Sequence, residues 1–126
     1  MWDNIIGREF EVIMQLEIIK LNYDITNREC IKYFEKLIEK LEDVSKEEVS
    51  EKLKIGKAEF ERLMEAANEG EGAEASGVYL KDVQYGIIDA LFLFSDLQKF
   101  LEADLMDRFK LRVMNYIKKD RINRLL

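Results

Sequence analysis

The sequence predicts an all-α protein, and three observations support this prediction. The 126 residues contain no proline and only six glycines, and 48% of them are apolar, so the chain can pack a core. Apolar residues recur every three or four positions, as they do on one face of an α-helix. No stretch has the features of a strand. At this length we expect one domain, residues 1–126, with five or six helices.

Two helices are predicted in the first third of the chain. The first runs from about Asp3 to Asn22, with an apolar spacing near 3.6 residues. Asn22-Tyr-Asp-Ile is predicted to break this helix. The sequence Thr26-Asn-Arg-Glu29 then fits a capping box, which indicates that a second helix starts there and ends near Glu42.

The next two helices are predicted to be short. Ser45-Lys-Glu-Glu48 is another capping box, and the helix that follows it ends at Gly56. A fourth helix is expected from about Lys57 to Asn68. Residues 69–77 contain three glycines and no large apolar residue, so we predict a flexible loop or connector.

The longest and most apolar helix is predicted for residues 78–102. We expect it to form a central antiparallel pair with the helix at 57–69. The last helix starts near Ala103–Asp104 and is basic: residues 105–126 carry seven basic and two acidic side chains, a local charge of +5. The net charge of −6 leaves −11 on the remainder. This basic helix is a candidate clamp for anions, although docking within the chain or onto a second subunit is the favoured interpretation.

The composition limits the chemistry that the chain can perform. There is no histidine, so the usual general base and transition-metal ligand are missing. Acid–base or metal chemistry would rest on carboxylates, which favour Mg²⁺ or Mn²⁺. The single cysteine, Cys30, forms no internal disulfide and is predicted to be a core residue. We expect a cytoplasmic protein that is not embedded in a membrane.

Asp89 is the most informative residue, because it lies in the otherwise apolar run at residues 87–94. A helix that carries this run is predicted to be apolar nearly all round and buried. A buried carboxylate needs a partner. We expect Asp89 to face a metal ion, a water-filled cleft, or a basic side chain such as Arg108, Lys110 or Arg112.

Other acidic residues suggest a metal site. Asp82, Asp89 and Asp96 are seven residues apart, so they lie near one face of a helix. Glu61 and Glu65 share a face of the preceding helix. If the two faces meet, four or five carboxylates converge and would hold one or two Mg²⁺ ions on a polyphosphate. The alternative is that all but Asp89 face solvent.

These residues resemble a known superfamily. Glu61 to Glu65, then twenty residues, then Gly86-Ile-Ile-Asp89 is similar to the paired motifs EExxE and ExxD of the all-α nucleoside triphosphate pyrophosphatases, which include MazG and the dimeric dUTPases. The basic helix with Lys110 and Asn115 resembles the last helix of that superfamily. The likeness covers roughly residues 57–119, but Arg62 and Gly86 stand in place of two motif acids.

The resemblance implies a MazG-like bundle, a homo-oligomer and a Mg²⁺-dependent hydrolase that converts nucleotides to monophosphate and pyrophosphate, active or catalytically diverged. No side chain is assigned as the nucleophile, so a metal-bound water would serve. The implied metal ligands are Glu61, Glu65 and Asp89, with Asp82 as a fourth, and the implied phosphate-binding residues are Lys110 and Arg112. A homodimer would also cover the apolar helix at 78–102.

A second hypothesis is a non-enzymatic helix-turn-helix regulator or a helical assembly module. Residues 48–63 have the apolar spacing of a helix-turn-helix, with Gly56 near the turn. The second helix would present Glu59, Glu61 and Glu65, so we expect weak DNA binding. An enzyme should bring acidic groups together near positions 62 and 86, whereas a regulator should present a basic face on residues 57–68.

Overall fold

The computed structural model describes residues 2–70 and 77–125, which form four α-helices. They are α1 (Trp2–Glu39), α2 (Lys46–Gly70), α3 (Gly77–Glu102) and α4 (Met106–Leu125). The all-α prediction is confirmed for these residues, among which there is no strand. The helix count is lower than predicted because two of the expected breaks are absent. Residues 71–76, in the predicted flexible segment, lie outside the described residues.

The break predicted at residues 22–25 does not occur, since α1 is continuous there. These residues include no glycine or proline, and Asn or Asp lowers helix stability by only about 0.7 kcal/mol relative to Ala. Tyr23 packs against Phe60 of α2, with ring centroids 6.4 Å apart. Packing of this ring favours one continuous helix, and Thr26 lies inside that helix instead of capping a new one.

The break predicted at Gly56 is also absent, because this glycine lies in the middle of α2. A Cβ atom at this position would lie only 2.7 Å from Cζ of Phe94. The glycine therefore allows the ring of Phe94 to approach the α2 backbone closely, and it does not end the helix. Residues 48–63 lie within one helix, so the predicted helix-turn-helix is wrong.

Local signals do mark two helix boundaries. The Ser45 hydroxyl accepts a hydrogen bond of 3.2 Å from the Glu48 amide, so the predicted N-cap before α2 is confirmed. After α3, Asp104 has a φ of 59°. The amides of Asp104 and Leu105 donate to the carbonyls of Leu101 and Phe100, at 3.2 and 2.8 Å. This pattern is a Schellman motif, and it ends α3 close to the predicted position.

The core lies among all four helices. α2 and α3 share the most extensive interface, and they run antiparallel, because Gln98 bonds Ser50 while Gln84 bonds Asn68. The predicted central pair corresponds to this interface. The largest fully buried side chains include Phe34, Phe60, Leu93, Leu97 and Phe109. In the described part of the chain, no helix combines the length and apolarity that a membrane span requires.

Candidate functional site

Asp89 lies on the flank of α3 that faces α4, and its side chain is 50% exposed. One oxygen accepts a hydrogen bond of 3.0 Å from Nζ of Lys119. The prediction that Asp89 is buried is therefore wrong. The apolar run does not bury α3 on every side, because Ile88 and Phe92 face outward. A basic partner from the last helix was one of the expected alternatives, but it is Lys119 and not one of the three residues named from the sequence.

The other predicted metal ligands, Glu61, Glu65 and Asp82, are all exposed. Among the residues that the structure describes, no three acidic or cysteine side chains lie close enough together to hold a metal ion. The expected convergence of four or five carboxylates is not found there. Their assignment as Mg²⁺ ligands stays a prediction that rests on the resemblance.

The two positions that depart from the family motif have different environments. Arg62 is exposed on α2. A Cβ atom at Gly86 would collide with the hydroxyl and ring of Tyr23, so an acidic residue would require that ring to move. Charged residues exposed on 57–68 include both signs, Lys57 and Arg62 with Glu61 and Glu65, so no basic face is present. Neither feature chosen to separate the two hypotheses appears in the described structure.

Three of the seven basic side chains of α4 form ion pairs with acidic residues of other helices. Arg112 pairs with Asp96 of α3 at 3.0 Å, and Arg121 pairs with Glu35 of α1 at 3.5 Å. With Lys119 bound to Asp89, these contacts confirm the interpretation that α4 docks within the chain. Lys110, the other predicted phosphate-binding residue, is exposed. A phosphate would therefore compete with Asp96 for Arg112.

A polar cluster that the sequence did not predict joins α1 to α4. Asn27 is 8% exposed and receives a 2.8 Å hydrogen bond from the Tyr116 hydroxyl on its side-chain oxygen. Its amide nitrogen donates to Asp120 at 2.9 Å, and Asp120 pairs with Arg124 at 2.9 Å. The available signal was the spacing of Asn27 from Tyr23 and Ile31, which places an amide on the apolar face of α1.

This cluster borders a small cavity of about 60 Å³, with room for a few water molecules. Tyr23, Gly86, Asp89 and Lys119 also line it. Burial raises the pKa of Tyr23 to about 12, and burial together with nearby negative charge also raises the pKa of Tyr116. Both phenols are protonated at neutral pH, so they are poor general bases, and the Tyr116 hydroxyl donates its hydrogen bond to Asn27. The hydrogen bonds that join Asn27 of α1 to Tyr116 and Asp120 of α4 fix the register of these two helices.

Cys30 lies beside a groove between α1 and α2 that also contains Tyr33 and Lys52. Burial raises the pKa of its thiol to about 12, and the negative charge of Glu59 adds to this effect. A thiol with this pKa is a weak nucleophile near neutral pH. Cys30 is partly buried and packs against the core, so the prediction that it is a core residue is confirmed in part.

Large apolar side chains form exposed stripes on three helices. On α1, Met14, Ile18, Leu21 and Ile25 are each 46–57% exposed. On α3 and α4 the exposed residues are Tyr85, Ile88, Phe92, Leu111, Met114, Ile122 and Leu125. At 100° per residue, the α1 stripe lies about 160° from the side of that helix that carries Leu16, Asn27 and Phe34. Between Met14 and Phe34, α1 is thus apolar on two opposite faces, and the face that carries Leu16 and Phe34 is the buried one.

Comparisons of this chain with protein-family models, with curated proteins and with solved structures found no match. The geometry of the described residues is therefore the basis for the functional conclusion.

Proposed function

We propose that this protein is a non-enzymatic helical assembly module that associates through α1. The observation that carries the proposal is the exposed stripe formed by Met14, Ile18, Leu21 and Ile25. These residues follow the spacing 4, 3, 4, which is the a and d pattern of a coiled-coil seam. The exposed apolar stripe of α1 is in contact with water, and association of α1 with another helix would bury it.

The chemistry of the interior supports the same proposal. In the interior, Tyr23, Tyr116 and Cys30 have raised pKa values, and the buried Asn27 does not titrate. None of them is suited to proton transfer near neutral pH. The resemblance-based hypothesis of a Mg²⁺-dependent nucleotide pyrophosphatase stays a prediction. The regulator with a helix-turn-helix is not carried forward, because its turn is absent.

Sedimentation velocity of the purified chain, measured from about 1 to 200 µM, tests the proposal. We expect an assembly larger than one chain that dissociates on dilution. Replacing Ile18 and Leu21 with glutamate should yield a monomer with unchanged helical circular dichroism, because both side chains are exposed. The matched control replaces Ile88 and Phe92 on the exposed stripe of α3 with glutamate, and it should still assemble.

Two outcomes would overturn the proposal. One is a wild-type chain that remains monomeric over the whole concentration range. The other is dissociation by the α3 substitutions together with normal assembly of the α1 variant, which would place the interface on a different helix.

A further inference from the structure

We infer that the partner of α1 is α1 of a second copy of this chain, running antiparallel, with Met14 facing Ile25 and Ile18 facing Leu21. This inference rests on the proposed function and adds the partner, direction and register. In an antiparallel pair of helices, a positions of one helix meet d positions of the other. The stripe supplies Met14 and Leu21 at d and Ile18 and Ile25 at a. Pairing them gives four apolar layers related by a two-fold axis.

The charges at the two ends of the stripe select the antiparallel direction. The next seam position before Met14 is Glu11, and the next after Ile25 is Arg28; both are exposed. In the antiparallel register, Glu11 of each copy faces Arg28 of the other, so an ion pair closes each end of the apolar seam. A parallel pair would instead place Glu11 against Glu11 and Arg28 against Arg28, and like charges repel.

The stripe residues, together with Glu11 and Arg28, also favour one of the possible antiparallel registers. A slip of one heptad in one direction places Arg28 opposite Ile18, and a slip in the other direction places Glu11 opposite Leu21. Each slip leaves one kind of apolar layer and sets a charged side chain against an apolar one. The proposed register is the one that joins all four apolar residues and both opposite charges.

Oxidative cross-linking tests the direction and the register together. The background is Cys30→Ala, which removes the one native cysteine. Met14→Cys and Ile25→Cys chains are prepared separately and then mixed. We expect a disulfide-linked dimer in the mixture, because facing Cα atoms lie within disulfide reach. Each variant alone should give little dimer, since residue 14 of one copy lies about 16 Å along the axis from residue 14 of the other.

The second experiment measures the dimer Kd after the charges of Glu11 and Arg28 are exchanged. Glu11→Arg should weaken the dimer roughly tenfold in Kd, because both ends then carry like charges. Adding Arg28→Glu to the same chain should restore the wild-type Kd, since the ion pairs form again with reversed sign. This rescue would not occur if Glu11 had only a structural role in its own chain.

The outcomes separate this inference from the proposed function. Efficient cross-linking of Met14→Cys or Ile25→Cys alone would show parallel pairing and would overturn the inference while assembly stands. The proposed register would also be overturned if the chain assembles in sedimentation but the mixture gives no cross-link. Failure of Arg28→Glu to restore the Kd of Glu11→Arg would overturn it as well. A monomeric wild-type chain would instead overturn the proposed function itself.

Discussion

The environment of Asp89 shows how a single charge is accommodated in an apolar run. Because successive residues of a helix point in different directions, Ile87 and Ala90 lie in the core. Asp89 lies at the side of α3, where it contacts Lys119 of α4. Both partners are at least half exposed, with side-chain exposures of 50% and 62%. Water screens such a pair, so its contribution to stability is small.

We predict that Asp89→Ala lowers the free energy of unfolding by less than about 1 kcal/mol. The change should be equal with and without Mg²⁺, because the structure pairs this carboxylate with a lysine. Urea denaturation with and without 5–10 mM MgCl₂, roughly the range that saturates weak sites, measures both values. Lys119→Ala, which breaks the same pair from the other side, is the control. Stabilisation by Mg²⁺ that disappears in Asp89→Ala would instead support the metal-site hypothesis.

Two glycines illustrate which residue roles the sequence alone does not reveal. From the sequence, Gly56 was predicted to end a helix, and Gly86 was interpreted as a replacement for an acidic residue of the ExxD motif. In the structure each lies in a helix and accepts an aromatic ring from another helix, Phe94 and Tyr23 respectively. A sequence pattern describes spacing along one helix, so it contains no information about a ring that arrives from elsewhere.

At the level of helices, the polar cluster determines how α4 meets α1. The apolar face of α4 is buried through Phe109, Val113 and Ile117. Apolar contacts alone fix the position of α4 along its own axis only weakly. Asn27 bonds both Tyr116 and Asp120, which are one turn apart. A buried group that needs two partners at fixed positions makes other registers costly, because each would leave polar atoms unsatisfied.

We predict that Tyr116→Phe destabilises the protein by about 1–3 kcal/mol, since the buried oxygen of Asn27 loses its donor. Tyr85→Phe is the matched control. Its ring is largely exposed on α3, so its effect should stay within about 0.5 kcal/mol. Chemical denaturation of both variants measures the difference. Equal effects of the two substitutions would show that the hydrogen bond to Asn27 contributes no net stability.

Helix boundaries differ in how far they can be predicted. The start of α2 and the end of α3 were found from the sequence because Ser45 and the residues around Asp104 make local hydrogen bonds. The breaks at residues 22–25 and at Gly56 were wrongly predicted because low helix propensity there is overcome by packing against Phe60 and Phe94. Local capping is encoded within a few residues, whereas helix continuity depends on distant partners.

For the whole molecule, four groups whose pKa values are raised by burial, Cys30, Tyr23, Tyr33 and Tyr116, make stability depend on alkaline pH. The pKa of Cys30 rises from 9.0 to about 12 and that of Tyr23 from 10.0 to about 12, in both cases mainly because of burial, and burial also raises the pKa of Tyr116. Above pH 9 the unfolded chain loses these protons before the native chain does. The native state then binds more protons, so stability falls as pH rises.

We predict a constant free energy of unfolding from about pH 7 to 9, followed by a steady loss from about pH 9 to 12. Urea denaturation at half-unit pH intervals measures this profile. Tyr23→Phe should reduce the slope above about pH 10, because one titrating phenol is removed. A flat profile up to about pH 11 would contradict the burial of these groups.

The sequence by itself determined that the described residues are helical, where two helix boundaries lie and that Cys30 packs with the core, because apolar periodicity and helix capping are encoded within a few neighbouring residues. Only the tertiary structure decided that Asp89 is exposed, that Gly56 and Gly86 accept aromatic rings, and that Asn27 joins α1 to α4. It also separated the core face of α1 from its exposed stripe. A helical pattern identifies the apolar faces of a helix, but which face is covered depends on where the other helices pack.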